Sequence, residues 1–144
     1  MPFGTGFADA ESDYNDADIC IYGIPYDKTA CFKPGAREAP GAIRRASYNF
    51  EATHFEHGRH QRELNVYDYG NCDDFFYPED MIDEVKFVMK PAIDDGKFTI
   101  AMGGDHAVNI PIIQSFEKKD IAVIRNFFHR IKFKFFCINI HLTN

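Results

Sequence analysis

The sequence predicts a three-layer α/β fold, in which helices cover both faces of a mostly parallel sheet. Short apolar runs of strand length alternate along the chain with segments whose apolar residues recur at helical spacing. One such run, residues 98–102, stops at paired glycines before a helical segment, as in the strand-turn-helix unit of parallel sheets. The length of 144 residues suits one domain with a single core.

The first half of the chain contains two predicted strands and one predicted helix. Residues 1–17 are polar and are expected to form a loop or a short cap before a buried strand at 18–23. Pro40 is expected to open a helix, since its missing N–H does no harm at the first helical position. The apolar residues at helical spacing along this helix are Ala42, Ile43, Ala46 and Phe50. Alternation at residues 64–69 then predicts a second strand.

The second half of the chain continues this alternation. Pro78 opens a second predicted helix, and Pro91 is expected to kink or shorten its far end. The buried face of this helix is predicted to comprise Met81, Val85, Val88, Met89 and Ala92. After the strand at 98–102 come a helix predicted at 107–118 and a strand predicted to start at 120–124.

The paired glycines are followed by Asp105 and His106 at the carboxyl end of a predicted strand, where parallel sheets bind ligands. Gly103 and Gly104 are expected to turn with positive φ and to leave room for a ligand. A neutral imidazole is a good metal ligand, although a turn with a capping or solvated His accounts for this stretch equally well. The loop at 26–38 follows the first strand and is expected on the same rim of the sheet.

Two motifs carry a resemblance to a known family. Residues 103–106, Gly-Gly-Asp-His after an apolar strand, resemble the first metal motif of the ureohydrolases, the family of arginase and agmatinase. Residues 23–27, Gly-Ile-Pro-Tyr-Asp, and residues 33–44 resemble the amino-terminal loop of that family. Lys33 replaces the usual Arg and Ala39 the usual Gly. The style of the second motif is more similar to agmatinase than to arginase.

The resemblance implies an arginase-like fold and a metal-dependent hydrolase. Two Mn²⁺ ions would bridge and acidify a water, and the hydroxide would attack the guanidinium carbon of a small cationic substrate. With agmatine as substrate the products are putrescine and urea. The resemblance also implies that His106 binds one metal and that Asp105 supports the turn or its neighbouring ligand, with no catalytic residue assigned. Family members commonly form homo-oligomers.

The resemblance covers residues 18–124 and then stops. In the family the strand matching 121–124 runs into His-X-Asp-Ala-His-X-Asp, whereas this chain continues Arg-Asn-Phe-Phe-His-Arg-Ile. His129 falls at the position of the second metal His, but Phe127 and Ile131 occupy the flanking Asp positions and offer no oxygen. Because two divalent cations need several ligands each, this chain is expected to be inactive alone.

This departure divides the chain in two. Residues 1–124 are interpreted as the amino-terminal part of a ureohydrolase-like domain, and residues 125–144 as an atypical tail. The abrupt change in composition at the motif boundary favours a frameshift or a truncation over natural drift. The alternative hypothesis is a non-catalytic pseudoenzyme or interaction module on the same scaffold.

Charge and composition argue against several other classes. The net charge is -6, and all 22 acidic residues lie in residues 1–124, which argues against nucleic-acid binding and suits a cationic substrate. Apolar runs are too short to span a bilayer, and no secretory signal is visible. Four scattered cysteines fit a reducing compartment, so a cytoplasmic location is expected.

A second histidine cluster, His54, His57 and His60, has a spacing that could bind a metal. On a helix the three side chains would share one side. Gly58 and Arg59 interrupt the segment, and this favours a solvated surface loop.

Overall fold

The computed structural model describes residues 6–54, 56, 58–116, 121–128 and 135–142. The strands are β1 (Ile19–Ile24), β2 (Thr53–His54), β3 (Arg59–His60), β4 (Val66–Asn71), β5 (Phe98–Gly103), β6 (Ile121–Phe128) and β7 (Phe135–Leu142). The α-helices are α1 (Ala39–Ser47), α2 (Pro78–Asp94) and α3 (Asn109–Ser115). The main sheet has five strands in the order β4-β1-β5-β7-β6, while β2 and β3 form a separate two-stranded ladder.

Strand β1 lies at the centre of the parallel part of the main sheet. It pairs in parallel with β4 on one side and with β5 on the other. Strand β7 pairs antiparallel with both β5 and β6, so among the described strands of this sheet it alone runs opposite to the rest. The predicted α/β fold with a mostly parallel sheet is confirmed, whereas the sequence pattern does not predict β7.

Alternate residues of β1 face two layers of the core. Cys20, Tyr22 and Ile24 belong to the core cluster that contains the buried faces of α2 and α3. Ile21 faces the other way and packs in a smaller cluster with Ile43 of α1. Successive side chains of a strand point to opposite faces, so the helices cover both sides of the sheet and three layers result.

Helix α2 buries the predicted face. Met81, Val85, Met89 and Ala92 are buried, and Val88 packs partly buried against the same core. Pro91 does not end the helix, which continues to Asp94. Because Pro91 lies on the exposed side of the last turn, the carbonyl that loses its hydrogen-bond donor can be hydrated, and the helix tolerates the proline.

Helix α1 buries polar side chains, although apolar residues recur at helical spacing along it. The apolar residues predicted along it are partly buried or exposed: Ala42, Ile43, Ala46 and Phe50. Arg44 and Ser47 are buried instead. Arg44 binds the buried carboxylate of Asp68 on β4, and this charge pair accounts for the burial of a charged side chain on α1.

The remaining boundaries shift by small amounts. The predicted helix at 107–118 is observed as a 3-10 turn, His106–Val108, followed by α3. Residues 117–120 lie outside the described residues. Strand β6 starts at 121 and runs to 128, across the boundary drawn at 124. No helix within the described residues combines the length and the apolar character needed to cross a membrane.

Arg44 and Asp68 form the centre of a buried polar network. The Arg44 Nε and Nη2 atoms donate to the two carboxylate oxygens of Asp68 at 2.7 Å each, and both side chains are 3% exposed. Asp68 also accepts from the backbone N–H groups of Phe7 at 2.6 Å and Gly70 at 2.9 Å. Arg44 donates further to the Asn71 side chain and the Gly70 carbonyl. The network therefore joins the amino-terminal segment, α1 and the carboxyl end of β4.

This network makes stability depend on acid pH. Burial by itself raises the pKa of Asp68, but the hydrogen bonds and the charge of Arg44 outweigh burial and hold the pKa below its ordinary value of 3.8. The stabilisation is therefore fully present well above pH 3.8 and is lost as the pH falls towards the lower folded-state pKa.

We expect the free energy of unfolding in urea to fall more steeply between about pH 5 and pH 2 in the wild type than in Asp68→Asn. Asp80→Asn removes the same charge from an exposed position and serves as the control. The explanation is wrong if the wild type and Asp68→Asn show the same dependence on pH.

Candidate active site at the carboxyl ends of the strands

Three connections meet where the parallel strands end. We call them the β1 loop (residues 25–38), the β4 loop (residues 72–77) and the β5 turn (residues 104–108). Since β4, β1 and β5 are adjacent and parallel, all three connections start on one rim of the sheet. The prediction that the loop after the first strand shares a rim with the Asp-His pair is confirmed.

Asp105 ties the β5 turn to the β1 loop. Its backbone N–H donates to the Tyr26 carbonyl at 2.8 Å. Its Oδ2 atom accepts from the Thr29 N–H at 3.0 Å and from the Thr29 hydroxyl at 2.7 Å, while Oδ1 accepts from the Ala107 N–H at 2.9 Å. Asp105 is 8% exposed, and both oxygens of its carboxylate accept hydrogen bonds from backbone or side-chain donors. This geometry suits support of the turn.

Gly104 allows the two loops to approach each other. A Cβ atom at this position would lie 1.9 Å from the Tyr26 carbonyl oxygen, which is far inside contact distance. Neither Gly103 nor Gly104 has a positive φ, so that prediction is wrong. The space beside Gly104 is filled by the backbone at Tyr26, and the glycine is required for this packing rather than for a left-handed turn.

Asp27 organises the other end of the β1 loop. Its Oδ2 atom accepts from the Gly35 N–H at 2.6 Å and, more weakly, from the Arg37 N–H at 3.4 Å. Arg37 Nε lies 3.3 Å from Asp27 Oδ1, and Arg37 Nη2 donates to Asp74 of the β4 loop at 2.8 Å. Gly35 has φ 121°, a conformation that only glycine adopts readily, so the loop can close on Asp27 at this position.

Tyr26 places an unusual group beneath this rim. Its side chain is fully buried, and within the described residues its hydroxyl has no hydrogen-bond partner. Burial raises the pKa of Tyr26, and the negative charges of Asp105 and Glu79 raise it further. The phenol therefore stays neutral and acts as part of the core.

His106 begins the 3-10 turn after β5 and is exposed on the rim. It thus lies where a ligand to the sheet would bind. Within the described residues, however, no three His, Cys, Asp or Glu side chains lie close enough together to hold a metal ion. The described donors therefore do not fit a two-metal site by themselves. The second metal residue predicted from the sequence, His129, lies outside the described residues.

The second histidine cluster is not helical where the structure describes it. Its two ends are paired as strands β2 and β3, with Thr53 opposite His60. The Nδ1 atom of His60 accepts from the Arg62 N–H at 3.1 Å and so caps a short 3-10 turn. His57 lies outside the described residues.

Sequence reasoning missed two residues of this rim. Thr29 donates twice to Asp105, and Arg37 connects Asp27 with Asp74. Arg37 lies within the motif at 33–44, whereas Thr29 lies between the two parts of the amino-terminal motif. Their roles depend on partners far away in the chain, which a local pattern does not reveal.

Comparisons with known proteins give one consistent result. The family model described as "Arginase family" matches residues 17–126. The agmatinase of Bacillus subtilis is 32% identical over 124 residues, which make up 84% of this chain and 43% of that protein. The N(1)-aminopropylagmatine ureohydrolase of Synechocystis is 29% identical over 117 residues, or 77% of this chain and 38% of that protein. The chain thus spans less than half the length of these relatives.

Solved structures agree with the sequence comparison. The crystal structure of the agmatine ureohydrolase of Thermoplasma volcanium superposes with a TM-score of 0.75 at 30% identity, over 80% of this chain and 39% of that one. A Trypanosoma cruzi formiminoglutamase crystallised with Mn²⁺ gives a TM-score of 0.66 at 22% identity, over 74% of this chain and 38% of that one. At this lower identity the second match supports the fold alone.

Proposed function

This chain belongs to the arginase family, and from that premise we propose that it forms the amino-terminal part of a hydrolase site for a guanidino compound. The proposed substrate is agmatine, with putrescine and urea as products. This choice is supported by the names of relatives, which include agmatinases and an agmatine ureohydrolase. A guanidino-alkylamine is cationic, and such a substrate is compatible with the acidic body of the chain.

One observation carries the proposal. The Asp105 carboxylate holds the β5 turn against the β1 loop, and the turn presents His106 to solvent at the rim where parallel sheets bind ligands. An imidazole on a turn that is fixed by hydrogen bonds can serve as a ligand without first being ordered. We propose that His106 is the contribution of this rim to a metal site and that Asp105 orients the turn.

The proposed cofactor is a pair of manganese ions, as in the family to which the chain belongs. The described residues do not hold such a pair, since no group of three candidate ligands occurs among them. We therefore propose that the 144-residue chain by itself does not hydrolyse agmatine.

The activity prediction is tested by titrating the purified chain with Mn²⁺ in the presence of agmatine and measuring urea. We expect no urea above the protein-free blank, because several ligands are needed for each ion. The agmatinase of Bacillus subtilis, assayed in parallel, shows that the assay works. Urea release that rises with the concentration of this chain would overturn the proposed inactivity.

The role of His106 is tested separately by NMR with substoichiometric Mn²⁺, whose paramagnetism broadens the signals of nearby amides even when binding is weak. We expect broadening of the β5 turn in the wild type and its loss in His106→Ala. His60→Ala removes a histidine whose ring already accepts a hydrogen bond, and it is the matched control. Broadening of the turn that persists in His106→Ala would exclude His106 as the ligand and favour a non-catalytic role for the chain.

A further inference from the structure

We propose that Thr29 is a positioning residue, which couples the β1 loop to the turn that carries His106 through the shared carboxylate of Asp105. The coupling rests on the proposed function, because the site around His106 is the site that the coupling would position. The physical basis is the set of contacts between Thr29, Asp105 and Ala107.

The Asp105 carboxylate is divided between two segments of the chain. One oxygen, Oδ2, accepts both donors of Thr29, the N–H at 3.0 Å and the hydroxyl at 2.7 Å. The other oxygen, Oδ1, accepts the Ala107 N–H at 2.9 Å and thereby caps the 3-10 turn that starts at His106. A carboxylate has two oxygens in one rigid plane, so a rotation that follows Thr29 also changes the geometry at Ala107.

The β1 loop is also anchored at a second point. Asp27 holds the Gly35 N–H and the Arg37 side chain, and Arg37 continues to Asp74 of the β4 loop. Between the two anchors lies Phe32, which is 93% exposed. The loop is therefore held to the β5 turn at Thr29 and to the β4 loop at Arg37.

The consequence concerns the imidazole of His106. If the loop and the turn are one unit, a molecule that touches the loop changes the setting of the turn, and with it the direction of the imidazole. If Thr29 merely adds stability, its loss lowers the stability of the whole domain and does not selectively speed the hydrogen exchange of any one amide. These two possibilities differ in a quantity that can be measured residue by residue.

The test is native-state hydrogen exchange, followed by NMR on the wild type and on variants. Thr29→Val keeps the shape and the N–H but loses the hydroxyl bond, and we expect exchange of the Ala107 amide to rise about fivefold. Thr29→Ser keeps the hydroxyl and should stay within about twofold of the wild type. Tyr14→Phe is the matched control, since it removes another hydroxyl-to-carboxylate bond, the 2.6 Å contact with Asp95, and should leave Ala107 unchanged.

A second measurement needs no variant. In the wild type the Thr29 and Ala107 amides are bound to the same carboxylate, so we expect their exchange to show one opening free energy and one dependence on urea. Different dependences on urea would overturn the coupling. If Thr29→Val does not unfold cooperatively, this comparison in the wild type is the deciding test. The coupling is equally contradicted if Thr29→Val leaves Ala107 unchanged, or if Tyr14→Phe accelerates Ala107 as much.

These measurements use neither substrate nor metal. A failure of the urea or Mn²⁺ experiments would therefore count against the proposed function and leave the coupling intact. A failure of the exchange experiments would remove the coupling and leave the proposed function intact.

Discussion

Replacing Arg44 with Met is expected to lower the free energy of unfolding by about 3–5 kcal/mol, because it leaves a buried carboxylate without its cation. Asp68 is buried and cannot recover the lost hydrogen bonds from solvent without opening the fold. The Asn71 side chain and the Gly70 carbonyl also lose a donor. Since domains of this size are stabilised by only about 5–15 kcal/mol, this loss is a substantial part of the chain's stability. Urea unfolding followed by circular dichroism measures the change.

The neighbouring residue supplies a matched control. Arg45 lies on the same helix but is exposed, and Arg45→Met should change the free energy of unfolding by no more than about 0.5 kcal/mol. The double variant Arg44→Met, Asp68→Leu should recover part of the loss, because no charge is then buried without a partner. The backbone N–H groups that donate to Asp68 in the wild type would still lack an acceptor, so the lost free energy of unfolding is recovered only in part. Equal losses of unfolding free energy in Arg44→Met and Arg45→Met would show that the Arg44–Asp68 pair does not stabilise the fold.

Replacing Gly104 with Ala is expected to lower the free energy of unfolding by about 2–4 kcal/mol. The new methyl group would lie 1.9 Å from the Tyr26 carbonyl oxygen, which is backbone and has little freedom to move. The β1 loop must retreat, and the 2.8 Å hydrogen bond from the Asp105 N–H to Tyr26 is then lost. We also expect the Mn²⁺-dependent broadening at His106 to weaken, since the turn loses its support.

Gly41 provides the comparison for this substitution. It lies within α1, where a Cβ atom would meet only the end of the flexible Arg45 side chain at 3.3 Å. Gly41→Ala should therefore raise the free energy of unfolding by roughly 0.5–1 kcal/mol, because alanine is the better helix former. Opposite signs in the two variants would show that the effect at 104 comes from the contact with Tyr26. A neutral Gly104→Ala would contradict the close packing of the two loops.

The parts of the fold that follow from local periodicity were predictable. Apolar spacing predicts the buried face of α2, and the position of the glycines predicts where β5 ends. The burial of Arg44 in α1 was not predicted, because its partner Asp68 lies on a strand that follows the helix in the chain. Apolar periodicity cannot report an ion pair whose second member lies in another element.

The candidate site shows the same limit. Parallel strands end on one rim, and this rule alone placed His106 beside the β1 loop. The conformation of Gly104 was misjudged, because the need for glycine comes from Tyr26, a residue far away in the sequence. Thr29 lies 76 residues from Asp105, so its two hydrogen bonds could not be inferred without the fold. The β5 turn was predictable from its own residues, whereas its contacts with Tyr26 and Thr29 were not.

The position of β1 between β4 and β5 has a consequence for folding during synthesis on the ribosome. Among the described strands of the main sheet β1 is translated first, and its partner β5 follows about 80 residues later, as the pairing of Ile19 with Phe98 requires. At about 5–20 residues per second, the apolar β1 waits on the order of 4 to 16 s before its second edge can be covered. During that interval the nascent chain exposes a strand with at least one unpaired edge, and a chaperone that binds Ile19–Ile24 early would protect it.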